Sequence, residues 1–483
     1  MATFTSLNPS NGELIGEFPI MEKTEIDSAL MRANLAKDSW QALGFDGRKN
    51  VLLAWNKIIV NRVSEISELI QRESGKPLSD AKLEASLAMA HLAWAARNAE
   101  KYLGTEKRNP GALMFNMKAE VVHKPFGVVG VIGPWNYPIF TPMGSITYAL
   151  AAGNTVLFKP SEFTPSVGKW IVDTFSEVAP SKDILILITG DGRTGSYLTE
   201  SEVGKIAFTG STATAKKVAE SCAKSMTPVV LECGGKDPVI VDRDADLNLA
   251  AEYTTWSAMS NAGQSCIGAE RVYVHESVAD EFIKKVAENA KELTPGKSYG
   301  AMTMPKQIEV VRRHVTDAIT SGAKAILGGV ESVGDRFISP VILADVPEYS
   351  SAMTEETFGP TIAINRVPDM ETAIELSNAT NYGLGASIWS KSSGEAIAKR
   401  LNCGMVAINA AFSYAAVPTM PFGGVKDSGY GRIHGPEGLL EFTYAQTVVS
   451  TRFKLPIHFT SFKRNKFADN LVIRISKLLN GRG

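Results

Sequence analysis

A cysteine and a glutamate each stand in surroundings that suit covalent catalysis. Cys266 ends the segment 261–266, just after a predicted helix, where backbone N–H groups can stabilise a thiolate nucleophile. Glu232 follows the apolar strand segment 228–231 and precedes two glycines. A partly buried glutamate at the carboxyl end of a parallel strand has a raised pKa and can act as a general base. Taken alone, Cys266 also fits a small buried hydrophobe and Glu232 a solvated carboxylate.

Two further segments carry groups for transition-state stabilisation and cofactor binding. Asn136 is a loop amide between two prolines in PWNYP (134–138). A rigid amide donor suits an oxyanion hole, although a turn asparagine can equally bond its own backbone. Lys159 and Glu162 follow a second predicted strand, where they can bind ribose hydroxyls and the carboxylate disfavours a 2′-phosphate. A solvated charged turn explains these two residues as well.

Two turns that contain glycine are candidates for a phosphate-binding loop. Residues 190–195 match G-x-G-x-x-G after a predicted strand, as in Rossmann-type domains, but no clear helical pattern continues from them. FTGS (208–211) follows another strand and precedes a helical pattern over 212–223. Its N–H groups and the helix dipole can therefore hold a pyrophosphate.

The elements that must position these groups alternate between short apolar strands and helices. Strands are predicted at 128–132, 155–158, 184–188, 206–208, 229–231, 239–241 and 271–274. Helical segments of about 10–15 residues separate many of them, which indicates right-handed crossovers and parallel strands covered on both faces. The predicted fold class is therefore α/β, with a second α/β unit over about 234–430.

Apolar periodicity predicts long helices before and between the strands. One helix is predicted from Asp46, as its N-cap, to a stop at Gly75, and another over about 79–103. Later helices are predicted up to residue 153, from Pro165 with Thr164 as N-cap, and from 247 to about 262.

Composition and charge narrow the class of protein. The 483 residues are 44% hydrophobic and 21% charged, as expected for a packed chain of about three domain-sized units. With a formal net charge of −1, the protein as a whole has no electrostatic attraction for nucleic acid. The four cysteines form no CxxC pair and the six histidines no HExxH motif, so neither a disulfide framework nor a metal site is predicted. No signal-peptide or membrane-spanning pattern is found, and we expect a cytoplasmic protein.

The tail over 452–483 differs from the rest of the chain in charge. It carries eight Lys or Arg against one acidic residue, a formal charge of +7. Five apolar residues fall on one face of a predicted helix within it: Phe467, Leu471, Ile475, Leu478 and Leu479. A basic amphipathic helix can bind an anionic membrane surface, whereas docking on its own protein is the more common arrangement.

Together these segments resemble the aldehyde dehydrogenase superfamily from about residue 7 to about residue 449. The motifs that carry the resemblance are PWNYP (134–138), FKPSE (158–162), FTGS (208–211), LECGGK (231–236), GQSC (263–266), EETFGP (355–360) and PFGGVK (421–426). Seven motifs in the family's order are highly specific, although each is weak alone.

The resemblance implies a role for each candidate residue. Cys266 would be the nucleophile, Glu232 the general base, and Asn136 the oxyanion donor together with the Cys266 backbone N–H. The residues expected to bind NAD, with NADP as the other option, are Trp135, Lys159, Glu162, Thr209, Gly210, Ser211, Glu356 and Phe358. Residues 190–195 would then be a neighbouring loop.

The resemblance also implies a domain organisation. The expected parts are a Rossmann-type dinucleotide-binding domain (1–106 and 126–233), an α/β catalytic domain (234–432), a small β oligomerisation arm (107–125 and 433–451) and the basic tail (452–483). Family members are usually homodimers or homotetramers. Cys233 replaces the leucine usual after the base glutamate and is expected to be a small buried hydrophobe.

The predicted reaction oxidises an aldehyde to a carboxylic acid through a cysteine thiohemiacetal and a thioester, with hydride transfer to NAD(P)+. An apolar aliphatic or aromatic substrate is favoured by six candidate entrance residues: Tyr137, Phe140, Trp170, Trp256, Met259 and Phe412. A semialdehyde such as succinate semialdehyde is the alternative. An acylating dehydrogenase that uses coenzyme A is less favoured because Glu232 would have no purpose there. A catalytically retired binding protein is also less favoured, because it would need none of the intact residues.

Overall fold

The computed structural model describes residues 2–456 and 461–481. Its first large sheet has six strands, which lie in the order Gly429–Tyr430, Val229–Glu232, Lys205–Thr209, Val128–Ile132, Thr155–Lys159 and Leu185–Leu187. All are parallel except the two-residue edge strand, which runs antiparallel to its neighbour. The five parallel strands are the five predicted before residue 233, each end within one residue of its predicted place. The α/β class is confirmed.

These strands are apolar because helices pack against them. The helices that connect them are Phe140–Ala152, Pro165–Ser176, Gly192–Glu200 and Thr212–Ala223. Thr164 is the N-cap residue of Pro165–Ser176, as predicted, but its side chain makes no capping hydrogen bond. Because parallel strands end at one edge of a sheet, Lys159, Thr209 and Glu232 are brought to the same edge.

Four helices precede this sheet: Lys23–Ala42, Gly44–Asn61, Val63–Ser74 and Leu78–Leu103. The single helix predicted between Asp46 and Gly75 is wrong, since Arg62 has a φ of −111° and a ψ of 23° and divides it in two. The apolar pattern continues across the break because Ile59 and Ile66 are buried in the same core. Asp46 lies within the first helical turn and does not cap it. The predicted stop at Gly75 is confirmed, with a left-handed φ of 79°.

A second sheet of seven strands has a core of its own. Its strands lie in the order Lys324–Leu327, Val341–Ala344, Thr361–Val367, Arg271–His275, Pro238–Val241, Gly385–Trp389 and Met405–Ile408. Only the first pair is antiparallel. The helices in this part of the chain are Leu247–Met259, Glu276–Lys291, Pro305–Thr320, Ser351–Thr354, Met370–Asn378, Gly394–Ala398, Ser413–Ala416 and Gly435–Glu441.

Two smaller antiparallel sheets complete the fold. Thr3–Leu7 pairs with Leu14–Pro19. Met117–Pro125 lies between Glu106–Arg108 and Thr443–Thr451 in a three-stranded sheet. Its strands come from the two segments expected to form an oligomerisation arm. The arm's function and the domain boundaries stay predictions.

The described part of the tail contains the helix Lys466–Asn480. Its buried residue is Ala468, and together with Val472 it lines a groove shared with Leu113 and Met114. Three members of the predicted apolar face, Phe467, Leu478 and Leu479, are exposed. Residues 457–460 and Arg482 lie outside the described residues. Within the described ranges, no helix combines the length and the apolar character needed to cross a bilayer.

Candidate active site

Cys266 lies just after an irregular turn that follows a buried helix. The helix ends at Met259, short of the predicted end near residue 262. It stops there because Asn261 and Ala262 adopt left-handed φ values of 52° and 56° in the 3-10 turn Ser260–Gly263. The turn brings Cys266, which is half-buried, to the wall of a cavity of about 220 Å³.

The surroundings of the Cys266 thiol favour its protonated form. Burial raises the pKa of this thiol well above its ordinary value, and the charges of Glu356, Asp237 and Glu232 raise it further. The Cys266 backbone N–H acts in the opposite direction but does not dominate. The stabilisation by N–H groups expected from the sequence is therefore outweighed, and a base or a nearby cation is needed to form the thiolate.

Glu232 ends the strand Val229–Glu232 and lines the same cavity as Cys266. Only 3% of Glu232 is exposed, and its two carboxyl oxygens have no hydrogen-bond partner among the described residues. Burial raises the pKa of this carboxyl well above its ordinary value, while the charge of Arg432 opposes the shift. A side chain at Gly423 would place Cβ 2.7 Å from Glu232 Oε1, so this glycine leaves room for the carboxyl group.

Asn136 is held against the segment that precedes Cys266. Its Nδ2 donates to the Gln264 carbonyl oxygen at 3.0 Å. Its own carbonyl oxygen accepts from Lys76 Nζ at 2.7 Å and from Asn261 Nδ2 at 3.0 Å. An amide nitrogen carries two hydrogens, so one remains for an oxygen of the substrate. The predicted role in an oxyanion hole stays a prediction.

A neighbouring groove of about 540 Å³, which shares Thr209 with the cavity, contains most of the expected cofactor-binding residues. The six that line it are Trp135, Lys159, Glu162, Thr209, Gly210 and Ser211. Ser211 caps the helix Thr212–Ala223 by accepting from the Thr214 N–H at 3.3 Å, and this helix begins where the sequence predicts. Burial lowers the pKa of Lys159; its Nζ donates to the Pro160 carbonyl oxygen at 3.0 Å and lies 4.0 Å from Glu162 Oε2. Cations, hydroxyls and a helix N-terminus suit the ribose and phosphates of a dinucleotide.

The glycine-containing turn at residues 190–195 differs from the prediction. A helix, Gly192–Glu200, begins directly from residues 190–195, although no helical pattern is apparent in the sequence. Of its three buried residues only Leu198 is hydrophobic, so hydrophobic periodicity could not reveal it. The Asp191 carboxylate accepts from the N–H groups of Arg193 and Thr194 at 2.9 and 3.4 Å. The helix start is thus occupied by the chain's own carboxylate, which leaves FTGS (208–211) as the better phosphate loop.

Of the last two expected cofactor-binding residues, Phe358 contacts a residue of the groove and Glu356 influences the cysteine. The Phe358 ring meets Trp135, a groove residue, edge to face at 5.5 Å between centroids. Glu356 Oε1 accepts from the Gly235 N–H at 3.1 Å, and the Glu356 charge is among the causes that raise the pKa of Cys266. Glu356 and Phe358 would hold the nicotinamide end of a cofactor, and this role stays a prediction.

The cavity at Cys266 has mostly apolar walls. Of the six entrance residues expected from the sequence, four line it: Tyr137, Phe140, Trp256 and Phe412. The prediction is wrong for the other two. Trp170 faces helix Val63–Ser74 and donates to Glu65 Oε1 at 2.7 Å, and Met259 packs into the core of the second sheet.

Several residues that line the cavity are not predicted from the sequence. Leu83 and Leu87 line it from one helix, and their i, i+4 spacing marks one face of that helix but not what the face meets. Phe422 follows a proline in the PFGGVK motif, and Lys76 and Glu84 line the wall as a buried ion pair. Such charged residues are ordinarily solvated, so the sequence contains no signal for their position.

Comparison with known proteins shows which family the chain belongs to. A sequence model of the aldehyde dehydrogenase family matches residues 1–448. The 4,4'-diapolycopene aldehyde oxidase of a Methylomonas species is 35% identical over 464 residues, 94% of this chain and 87% of that protein. A Mycolicibacterium smegmatis protein, provisionally named an NADP(+) succinate-semialdehyde dehydrogenase, is 36% identical over 452 residues, 91% of this chain and 87% of that one. The crystal structure of an NAD-dependent aldehyde dehydrogenase from Sinorhizobium meliloti matches with a TM-score of 0.90 and 30% identity, covering 95% of this chain and 93% of that one.

Proposed function

Since the chain belongs to the aldehyde dehydrogenase family, we propose that Cys266, Glu232 and Asn136 perform its chemistry. The protein is an NAD(P)-dependent enzyme that oxidises an aldehyde to a carboxylic acid. The observation that supports these three residues is their convergence. Cys266 and Glu232 line one cavity, and Asn136 is hydrogen-bonded to the residue two places before Cys266.

Cys266 acts first in the proposed cycle. Its thiol gives up its proton to a base in the solvent, and the thiolate attacks the aldehyde carbon. The developing oxyanion accepts hydrogen bonds from Asn136 Nδ2 and the Cys266 backbone N–H. Loss of one such donor typically costs about 10²–10³ in rate. A nicotinamide cofactor, when bound, accepts the hydride that leaves the adduct. A thioester on Cys266 remains.

Glu232 acts second by removing a proton from the water that hydrolyses the thioester. Because burial raises the pKa of its carboxyl, the ionised form is a stronger base than an exposed glutamate. A carboxylate in the cavity also argues for hydrolysis over transfer of the acyl group to coenzyme A, which needs no water-activating base.

We infer a preference for NAD from Glu162. Its side chain lines the groove, is 41% exposed, and lies 4.0 Å from Lys159 Nζ. A carboxylate at the adenosine ribose accepts hydroxyl hydrogen bonds and repels a 2′-phosphate. Turnover with NADP above that with NAD would refute the preference.

We infer an apolar aldehyde as the substrate from the charges on the cavity wall. Among the described wall residues no arginine is found, and Lys76 is already bonded to Glu84 and to the Asn136 carbonyl oxygen. The carboxylate of a semialdehyde would therefore meet aromatic rings and no available cation, at the cost of desolvation. Of the two relatives reported above, the one named for the aldehyde of 4,4'-diapolycopene fits this choice, and the one named for succinate semialdehyde fits the alternative.

The test is NADH formation across short aliphatic, long aliphatic, aromatic and semialdehyde substrates, with NAD and with NADP, without coenzyme A. We expect the apolar aldehydes to give the highest kcat/KM and the Cys266→Ala variant to give none. Succinate semialdehyde as the best substrate would support the alternative. A requirement for coenzyme A would support an acylating enzyme, and cofactor binding without turnover of any aldehyde would support a retired one.

We propose a second copy of the chain as the protein partner, in a homodimer or homotetramer. The outer edge of Thr443–Thr451 has no strand partner among the described residues, and most of this strand is exposed. A long unpaired edge is a template for pairing with another chain. Sedimentation analysis should give at least a dimer, and a monomer would contradict the proposal.

We also propose a cytoplasmic location, with contact between the tail and anionic lipid. All four cysteines are free thiols, as is usual in a reducing compartment. On the tail helix Phe467 and Leu478 are exposed, and the same helix carries Arg474 and Lys477. Exposed apolar and basic residues on one helix suit insertion among anionic headgroups. Cosedimentation with phosphatidylserine vesicles is expected and should decrease when Arg474 and Lys477 are replaced by Gln. Equal sedimentation with and without vesicles would contradict the contact.

A further inference from the structure

A buried ion pair stands beside the proposed oxyanion donor. Lys76 lies between the helices Val63–Ser74 and Leu78–Leu103, and Glu84 lies on the second of them. Both residues are at most 2% exposed, and Lys76 Nζ lies 2.5 Å from Glu84 Oε2. Burying two charges is expensive unless further hydrogen bonds satisfy them, so the other partners of this pair indicate what it does.

The other partners of the pair all belong to the loop that carries Asn136. Lys76 Nζ donates to the Asn136 carbonyl oxygen at 2.7 Å. Glu84 Oε1 accepts from the N–H groups of Ile139 and Phe140 at 3.0 and 3.2 Å. These N–H groups belong to the start of helix Phe140–Ala152, whose N-cap residue, Ile139, has no side chain able to cap it. One ion pair thus holds both ends of the loop.

We propose that Lys76 and Glu84 are positioning residues that fix the Asn136 amide for the oxyanion. The inference rests on the proposed role of Asn136. Displacement of a catalytic group by about 1 Å can cost about 10² in rate, and without this pair the 136–140 loop would lose three hydrogen bonds to charged groups. Lys76 also balances the negative charge of Glu84, which would otherwise oppose the developing oxyanion.

A second buried pair on the other side of the site uses the same arrangement. Lys236 Nζ is bonded to Glu270, and the Glu270 carboxylate accepts from the N–H groups of Thr357 and Phe358 at 2.8–3.0 Å. This pair therefore holds the loop expected to contact the nicotinamide. It provides a matched control, since it has the same chemistry and burial but acts on the cofactor side.

The test is a double-mutant cycle with Lys76→Met and Asn136→Ala, measured as kcat for NADH formation. We expect Lys76→Met to lower kcat by about 10²-fold with the KM for NAD unchanged, and Lys76→Arg to recover part of the loss. If Lys76 acts through Asn136, adding Lys76→Met to Asn136→Ala should lower kcat less than twofold further, because neighbours that act as a unit are non-additive. The control, Glu270→Gln, should instead raise the KM for NAD.

Each outcome decides a different point. A Lys76→Met variant with kcat within twofold of wild type, or losses that multiply in the double variant, would overturn the positioning role. An Asn136→Ala variant with wild-type kcat would instead refute the proposed function of Asn136. If Lys76→Met does not fold, as judged by near-UV circular dichroism, Glu84→Gln takes its place, since it keeps an acceptor for the loop and removes the charge. The same non-additivity with Asn136→Ala is then required.

Discussion

Replacing Glu356 by Gln is expected to stabilise the folded protein at neutral pH. Burial, and then the charge of Glu270, raise the pKa of the Glu356 carboxyl from 4.5 to about 8. A group whose pKa is higher in the folded protein gives its full stabilising contribution below about pH 4.5 and loses it as the pH rises through about 8. Glutamine does not titrate, so the advantage of the variant must grow across that interval.

The size of the effect follows from the change in proton affinity at Glu356. Each factor of ten corresponds to about 1.4 kcal/mol, so at pH 7 the raised pKa costs the folded wild type at most about 3 kcal/mol. Glu356 is half-buried, and solvent screening makes this an upper limit. For a chain of 483 residues, each kcal/mol moves Tm by about 1 °C. We expect a rise in Tm of about 1–3 °C at pH 7.

The assay is thermal unfolding of both proteins near pH 5 and near pH 8, with Glu355→Gln as the matched control. Glu355 is exposed and pairs with Arg313 at 2.6 Å, and this hydrogen bond lowers the pKa of its carboxyl. Its stabilising contribution is therefore present above about pH 4.5 and is lost only in stronger acid, so Glu355→Gln should differ from wild type by nearly the same amount near pH 5 and near pH 8. The reasoning would be refuted if the difference between wild type and Glu356→Gln did not change with pH, or if the difference for Glu355→Gln changed by as much.

Three further substitutions test the groove and the cavity. Ser211→Ala removes the hydroxyl that accepts from the Thr214 N–H; it should cost about 1 kcal/mol of stability in thermal unfolding and raise the Kd for NAD in fluorescence titration. Glu162→Gln should increase kcat/KM with NADP relative to NAD in steady-state assays, and an unchanged ratio would count against its contact with the ribose. Trp256→Ala removes a partly exposed ring 5.1 Å from that of Phe412. It should raise the KM for long aldehydes more than for short ones, and an equal change would argue against a place at the entrance.

The sequence predicts the first sheet closely because its strands are buried on both faces. Val128–Ile132 and Thr155–Lys159 are short apolar runs with no competing helical pattern. The same rule fails where burial does not change at an element boundary. No sequence signal marks the break at Arg62, because the residues before and after it face one core. None marks the helix Gly192–Glu200, because Leu198 is its one buried hydrophobic residue.

The residues of the candidate site also fall into two groups, those that the sequence predicts and those that it does not. Cys266, Glu232 and Asn136 stand in motifs whose residue types suggest chemistry, and the structure brings them to one cavity and the segment beside it. Lys76 and Glu84 are eight residues apart, with Pro77 and the start of helix Leu78–Leu103 between them. Lysine and glutamate are residue types that usually lie on a solvated surface. Only the packing of helix Leu78–Leu103 against helix Phe140–Ala152 and its other neighbours shows that they are buried.

The central claim, that Cys266 is acylated and Glu232 removes the acyl group, is tested most directly by rapid-quench kinetics on Glu232→Gln. The account predicts a burst of about one NADH per site, followed by a steady-state rate about 10²–10⁴-fold below wild type. It also predicts an acyl adduct on the Cys266 peptide by mass spectrometry. A variant that turns over at the wild-type rate, or a slow variant with neither burst nor adduct, would contradict it.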